Sequence, residues 1–242
     1  MSDSYASIAD YYDYIFPLNP LQIEFITSRL SPEENPVLLD LGCGTGSLAV
    51  ALAEEGFNTV GIDIDEKMIE IAHQKGKGNG KTTFLVEDMN KIQRSFKAGS
   101  FDSIYSFGNS IVHLGSPEAI ENLFSSVRSL LKPDGKFIGQ IINYRRIFDK
   151  MVTGLPTIDN EFISFERSYQ FTGPGEPLYF KTRTYIKSSG KILENRETLY
   201  PLLPEEALFF LENAGFYDVD LYGAFNGDTL LSDSYSFIFV AK

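Results

Sequence analysis

The chain has 242 residues, 43% of them hydrophobic and 22% charged, which suits one large α/β domain or one domain carrying an insertion. Its net charge of −12 repels a phosphate backbone and argues against nucleic acid as substrate. The single cysteine, Cys43, excludes an intrachain disulfide, and no apolar run approaches the roughly 20 residues of a membrane span. Residues 1–10 are polar and acidic, without the basic and apolar regions of a signal peptide, so the expected location is the cytoplasm.

Apolar positions at helical spacing over residues 5–30 predict two short helices divided by Pro17 and Pro20, followed by a polar linker at 31–36. A regular alternation begins there. Residues 37–41 form a continuous apolar run suited to a strand buried on both faces. Residues 46–55 read as a helix, 58–63 as a strand, 66–75 as a helix and 82–87 as a strand. Residues 101–107 are a fourth strand, and 117–131 a helix opened by Ser116 with Pro117 in its first turn. Pro133-Asp134-Gly135 is turn chemistry ahead of a fifth strand at 136–142. Such βα repetition predicts a doubly wound, mainly parallel sheet. From about residue 144 to 201 the pattern becomes three extended segments (162–171, 178–187, 191–199) separated by Gly- and Pro-bearing turns, the last two a hairpin. This is an antiparallel insertion after the fifth strand. A helix at 204–214, closed by Gly215, and strands at 216–222 and 235–241 complete the chain.

The strongest chemical signal is the strand that runs into Gly42-Cys43-Gly44-Thr45-Gly46 and then a helix. Glycine lets a ligand lie against bare peptide, and the amides at the helix start favour an electron-rich group such as a carboxylate. The spacing is G-x-G-x-G rather than the dinucleotide G-x-G-x-x-G, with Asp40 inside the strand end. Asp63 closes the second strand about twenty residues past the loop, where two carboxylate oxygens can accept from a ribose diol. A helix N-terminal acid is the other reading of Asp63.

The segment Asp40-Leu41-Gly42-Cys43-Gly44-Thr45-Gly46 resembles the first motif of class I S-adenosylmethionine-dependent methyltransferases, and partial matches extend the resemblance over residues 37–142. The resemblance implies a Rossmann-like, doubly wound seven-stranded sheet of order 3-2-1-4-5-7-6 and S-adenosylmethionine as cofactor. It implies a cofactor site of Asp40, Gly42, Cys43 and Gly44 in the loop, Asp63 on the ribose, and Ile64 and Met68 beside the adenine. Asp88 would accept from the adenine amino group, the Met89 amide would reach the ring, and Ser106 at the end of the fourth strand would face the methyl group. A Tyr12-Asp13 helix over the cofactor is a further family echo, with Tyr5, Tyr11 or Tyr12 reaching the methionine carboxylate; simple packing is the competing reading.

Residues 1–36 are accordingly expected to be a helical lid, 37–143 and 201–242 the core, and 144–200 an insertion over the substrate site. The insertion resembles those of glycine and amino-sugar N-methyltransferases, so the expected reaction is in-line methyl transfer to a small-molecule acceptor, an amine being the first choice. The acceptor pocket should be lined by residues 1–20, 107–115 and 144–200. His113 is the candidate catalytic group, and Arg145-Arg146 a candidate for pairing with an anionic substrate against a solvated loop. Cys43 has no evident partner for nucleophilic work, residues 75–81 (KGKGNGK) read as a solvated connection, and no cluster has metal-ligand spacing. Two alternatives stand: a nicotinamide-dependent oxidoreductase, and a cofactor-binding module without catalysis whose acceptor space is plugged by Phe107 and Phe171.

Overall fold

The computed structural model describes residues 6–173 and 176–242; Tyr5 and the Pro174-Gly175 turn lie outside the described residues. A 3-10 turn at Ala6–Tyr11 leads into α1 (Tyr12–Ile15). Pro20 then starts α2 (Pro20–Thr27), where the Asn19 side chain accepts from the Leu21 amide at 3.1 Å and proline's missing N–H costs nothing. The alternating unit follows as β1 (Val37–Leu41), α3 (Ser47–Glu54), β2 (Asn58–Asp63), α4 (Glu66–Lys75) and β3 (Thr82–Val86). It continues with α5 (Ile92–Ser95), β4 (Phe101–Ser106), α6 (Pro117–Leu130) and β5 (Leu131–Ile142). Then come α7 (Tyr144–Asp149), β6 (Gly154–Asp159), β7 (Ile163–Gln170), β8 (Leu178–Ile186) and β9 (Lys191–Leu199), and finally α8 (Pro204–Asn213), β10 (Val219–Tyr222) and β11 (Ser236–Ala241).

The main sheet has seven strands in the order β10-β11-β5-β4-β1-β2-β3, which is the expected 3-2-1-4-5-7-6 arrangement. β1 to β5 are parallel, and β11 and β10 join antiparallel. β1 is a continuous apolar run because both of its faces are covered. Leu38 packs with Phe25, Ile26 and Leu52 from α2 and α3, whereas Leu39 and Leu41 face the α6 and α8 side with Phe124 and Leu211. The helix before β10 ends in a Schellman turn, with Gly215 at φ 92° and the Phe216 amide donating to the Leu211 carbonyl at 3.0 Å.

A second, four-stranded antiparallel sheet, β6-β7-β8-β9, carries the insertion. Here the structure adds elements that the sequence reading did not place. Residues 144–149, for which the sequence predicted no element, form helix α7: the Asn143 side chain caps it, and buried Tyr144, Ile147 and Phe148 stand at helical spacing. A fourth strand, β6, pairs with β7 through a register shift between Leu155 and Ile158, the irregularity that accommodates Pro156 on a sheet edge. Pro133-Asp134-Gly135 likewise lies within β5 as a bulge, with Asp134 at φ 63°. The β8–β9 hairpin is as expected. One face of the insertion sheet buries Ile163, Phe165 and Ile186 against Ile8 and Ile15, so the amino-terminal segment is packed onto the insertion. Tyr14 stacks on Phe162 at 4.0 Å across the same contact. Among the described residues no helix is long and apolar enough to cross a membrane.

Phe137 sits fully buried in β5, with ring centroids of Phe239 at 5.0 Å and Phe124 at 5.2 Å. Phe137→Ala should lower the unfolding free energy measured in urea by about 3–5 kcal/mol.

Candidate active site

β1 is flanked by β2 on one side and β4 on the other, so the connections leaving it diverge and open a crevice at the carboxyl ends of the strands. The loop after β1 fills the floor of that crevice. Gly42, Gly44 and Gly46 all have positive φ, at 77°, 54° and 75°. The amides of Gly42 and Cys43 both donate to the Ile62 carbonyl at 2.9 Å, which ties the loop to β2. Gly44 must lack a side chain for a second reason: a Cβ there would stand 3.0 Å from the Tyr12 ring.

Asp63, at the end of β2, accepts the Gly44 amide on one oxygen at 2.9 Å and the Asp65 amide on the other at 3.0 Å. Burial raises its pKa, against the pull of those amides. Asp65 caps α4, accepting from the amides of Lys67 and Met68. After β3, Asp88 caps a 3-10 turn by accepting the Asn90 amide at 2.9 Å and pairs with Lys91 at 3.2 Å. Burial works to raise its pKa, but the Asn90 and Lys91 contacts outweigh it and hold it below the usual carboxylate range.

A cavity of about 340 Å³ joins these groups. At one end it is lined by Gly42, Gly44, Asp63, Ile64, Met68, Asp88 and Met89, with Tyr12 above the loop. At the other end stand Gly108, Ser110 and His113 after β4, and Arg196, Glu197 and Thr198 from β9. His113 Nδ1 lies 2.7 Å from a Glu197 carboxylate oxygen, both side chains being mostly buried. The lining thus draws on each of the three stretches expected to wall an acceptor pocket. Phe107 packs instead among Tyr105 and Phe225, and Phe171 against Phe148; neither lines the cavity.

Three of the sequence-selected residues lie behind the lining. Asp40 is buried beneath the loop, level with Tyr105 on β4. The Cys43 side chain packs against the cluster of Ala49, Ile69, Ala72 and Phe84, and burial pushes its thiol pKa up. The Ser106 hydroxyl donates to the Leu41 carbonyl at 2.9 Å. In the other direction, Glu87, Ser110, Glu197 and Thr198 enter the lining without having been singled out individually, although the last three fall within the stretches expected to wall the acceptor pocket. Glu197 meets His113 across 84 positions of chain, a separation no local pattern reports.

The reading of residues 75–81 as a solvated connection fails at Lys75. Its ammonium donates to Asp13 Oδ2 at 2.5 Å, to Thr45 Oγ1 at 2.7 Å and to Ser47 Oγ at 2.7 Å. The Thr45 and Ser47 hydroxyls in turn donate to Asp13 Oδ1 at 2.6 and 3.0 Å. Burial tends to raise the Asp13 pKa, but these hydrogen bonds and the Lys75 charge lower it overall. Arg145 pairs with Glu205, so it stands engaged within the protein. Among the described residues there is no group of three or more His, Cys, Asp or Glu placed to hold a metal ion.

Burial raises the Asp40 pKa from 3.8 to about 8, with the nearby Asp63 charge adding to the rise and the Tyr105 hydroxyl opposing it. Between those two values the unfolded chain releases a proton that the folded chain keeps, so the stability contributed by Asp40 falls as pH rises from about 4 to 8. Asp63, also raised, acts with the same sign. Asp40→Asn should therefore show a shallower decline in melting temperature between pH 5 and 8 than the parent chain.

Residues 38–135 match the profile of the methyltransferase domain family. YqeM of Bacillus subtilis (strain 168), provisionally named a methyltransferase, is 28% identical over 217 residues, covering 88% of this chain and 86% of that protein. The glycine/sarcosine N-methyltransferase of Halorhodospira halochloris is 27% identical over 225 residues, covering 90% and 80%. A ubiquinone biosynthesis O-methyltransferase of Actinobacillus pleuropneumoniae (serotype 7, strain AP76) is 32% identical over 130 residues, about half of each chain (52% and 54%). Among solved structures, the CcbJ methyltransferase from Streptomyces caelestis superposes with a TM-score of 0.83 over 97% of this chain and 95% of that one, at 18% identity. An S-adenosylmethionine-dependent methyltransferase from Clostridium acetobutylicum (ATCC 824) gives 0.81 over 98% of each, at 19% identity. These likenesses do not favour a nicotinamide-dependent oxidoreductase. Strand order, loop and the match of residues 38–135 agree: that segment resembles a methyltransferase domain, the chain has the fold of S-adenosylmethionine-dependent methyltransferases, and these likenesses support S-adenosylmethionine as cofactor.

Proposed function

We propose that the protein methylates a small-molecule acceptor, an amine in the first instance, held where the cavity ends on His113 and Glu197. The observation that carries this reading is one continuous cavity with the glycine loop, Asp63 and Asp88 at one end and the His113–Glu197 pair at the other. Its volume of about 340 Å³ is at the small end of ligand pockets, which run from roughly 300 to 1,000 Å³. That size favours a compact acceptor beside the cofactor. The glycine/sarcosine N-methyltransferase relative supports the choice of an amine.

The donor set fits the cofactor. Gly42 and Gly44 present bare peptide beside Tyr12, where the methionine end would lie. Each Asp63 oxygen accepts one amide and keeps further lone-pair capacity for a ribose hydroxyl. Ile64 and Met68, which line the cavity, would offer apolar flanks to the adenine, and Asp88 and the Met89 amide would meet its polar edge. Asp40, Cys43 and Ser106 would act on the cofactor through the shape of the loop, from behind it. When bound, S-adenosylmethionine supplies an electrophilic methyl carbon on a sulfonium; the protein's work is to align the acceptor with it and exclude water, an orientation effect worth roughly 7–11 kcal/mol.

His113 is the residue that moves a proton. The Glu197 carboxylate at Nδ1 orients the imidazole and favours the tautomer that carries its proton on that nitrogen. An amine that arrives deprotonated needs proton removal only after transfer, whereas a hydroxyl acceptor needs it during transfer. The His113–Glu197 pair therefore also favours a second reading, O-methylation, in line with the O-methyltransferase relative of the core. A binding module without catalysis is disfavoured, since Phe107 and Phe171 leave the cavity unplugged. In this reading residues 1–36 form a lid, 144–200 roof the acceptor site, and 37–143 with 201–242 form the catalytic core.

Two measurements test the assignment. Titration calorimetry should show S-adenosylhomocysteine binding that Asp63→Ala weakens by about tenfold or more, with no binding of NADH; equal affinity in the variant would remove Asp63 from the cofactor site. Transfer from labelled S-adenosylmethionine to a panel of glycine, sarcosine, small amines and phenols should reveal the acceptor class; His113→Gln should cut transfer to a hydroxyl acceptor by about 10²-fold or more and transfer to an amine far less. Glu197→Gln should lie between parent and His113→Gln, with S-adenosylhomocysteine affinity changed less than about twofold in both.

A further inference from the structure

Lys75 is the last residue of α4, outside the motifs themselves, yet its ammonium is the centre of a closed array of hydrogen bonds. An ammonium has three N–H donors, and all three have an acceptor: Asp13 from the amino-terminal segment, Thr45 from the glycine loop and Ser47 from the first turn of α3. Each hydroxyl accepts from Lys75 and donates to Asp13, so four side chains from three separate segments satisfy one another. The residue before Asp13 is Tyr12, whose ring rests on Gly44 and lines the cavity directly above the loop.

We infer that Lys75 is a positioning residue for methyl transfer, a clasp that holds the amino-terminal segment shut over the cofactor by fixing Asp13 and thereby Tyr12. The inference rests on the reading of this cavity as the cofactor site. Two features point to a clasp that opens rather than a permanent joint. The ion pair is only partly buried, with side-chain exposures of 28% for Lys75 and 42% for Asp13, so water and salt compete for it. The segment it holds is short, α1 being one turn of helix, and its second tie to α4 is the exposed Lys67–Asp10 pair at 2.6 Å. Ile8 and Ile15 keep the segment on the insertion sheet, so the two would move together away from the glycine loop for cofactor exchange, leaving the seven-stranded sheet beneath undisturbed.

The test is stopped-flow release of S-adenosylhomocysteine from the full-length chain. Lys75→Met should speed dissociation and raise Kd by about tenfold, the scale of one charge-assisted hydrogen bond. Asp13→Asn should do the same, and the double variant should be no worse than either single one, because both changes break one array. Lys75→Arg should recover most of the slow release, and rising salt should speed release from the parent chain more than from Lys75→Met. Release within twofold of the parent in both single variants, or effects that add in the double variant, would overturn the clasp. Asp63→Ala separates the two levels. If that variant binds S-adenosylhomocysteine as the parent does, the site reading has failed; if it loses affinity while Lys75→Met and Asp13→Asn do not, only the clasp has failed.

Discussion

The turn leaving β1 sets the position of almost everything else in the site. Two consecutive amides, Gly42 and Cys43, share the Ile62 carbonyl, and this pulls the loop down against the end of β2. Only then can the Gly44 amide reach Asp63 at 2.9 Å, and only a backbone with three residues at positive φ follows that path. Asp63 is consequently held from both sides, by the loop and by the Asp65 amide at the head of α4. A carboxylate fixed in this way is pre-organised, and its orientation costs nothing further when a ligand's hydroxyls arrive.

The same turn is where the amino-terminal segment is fastened. Thr45 and Ser47 flank Gly46 and offer hydroxyls to Asp13, and Lys75 closes the array from the far end of α4. Tyr12 is brought over Gly44, so floor and roof of the cavity are joined through one set of side chains. The insertion completes the enclosure from another direction. Its buried face packs on Ile8 and Ile15 at one end and runs into the main core through Tyr169, Leu178 and Leu199 at the other, which delivers β9 and Glu197 to His113. Electrostatics follows the same division: carboxylates beneath the loop are pushed toward protonation by burial, while Asp13 and Asp88, supplied with donors, are held ionised.

The amino-acid sequence determined the α/β class, the positions of β1 to β5, the glycine loop and the acids that close β2 and β3, because these depend on local patterns: a two-faced apolar run, Gly spacing, a carboxylate at a strand end. It also marked His113 and Tyr12, which the structure brings to the cavity. Some local signals were present but not used, as with the helical spacing of Tyr144, Ile147 and Phe148 in α7. What only the tertiary structure decided were the pairings that cross the chain. Glu197 reaches His113, and Lys75 reaches Asp13 and Thr45, because β9 and the end of α4 fold to the mouth of the crevice. Nor could residue type tell which side chains face the ligand space: Asp40 and Ser106 at strand ends point into the protein, since alternate positions of a strand buried on both faces serve opposite layers, and Cys43 in the loop turns toward Ala49, Ile69, Ala72 and Phe84. The glycine loop was therefore legible from its sequence, whereas the contacts that cover it, that tie Lys75 to Asp13 and that pair Glu197 with His113 exist only between segments far apart in the chain.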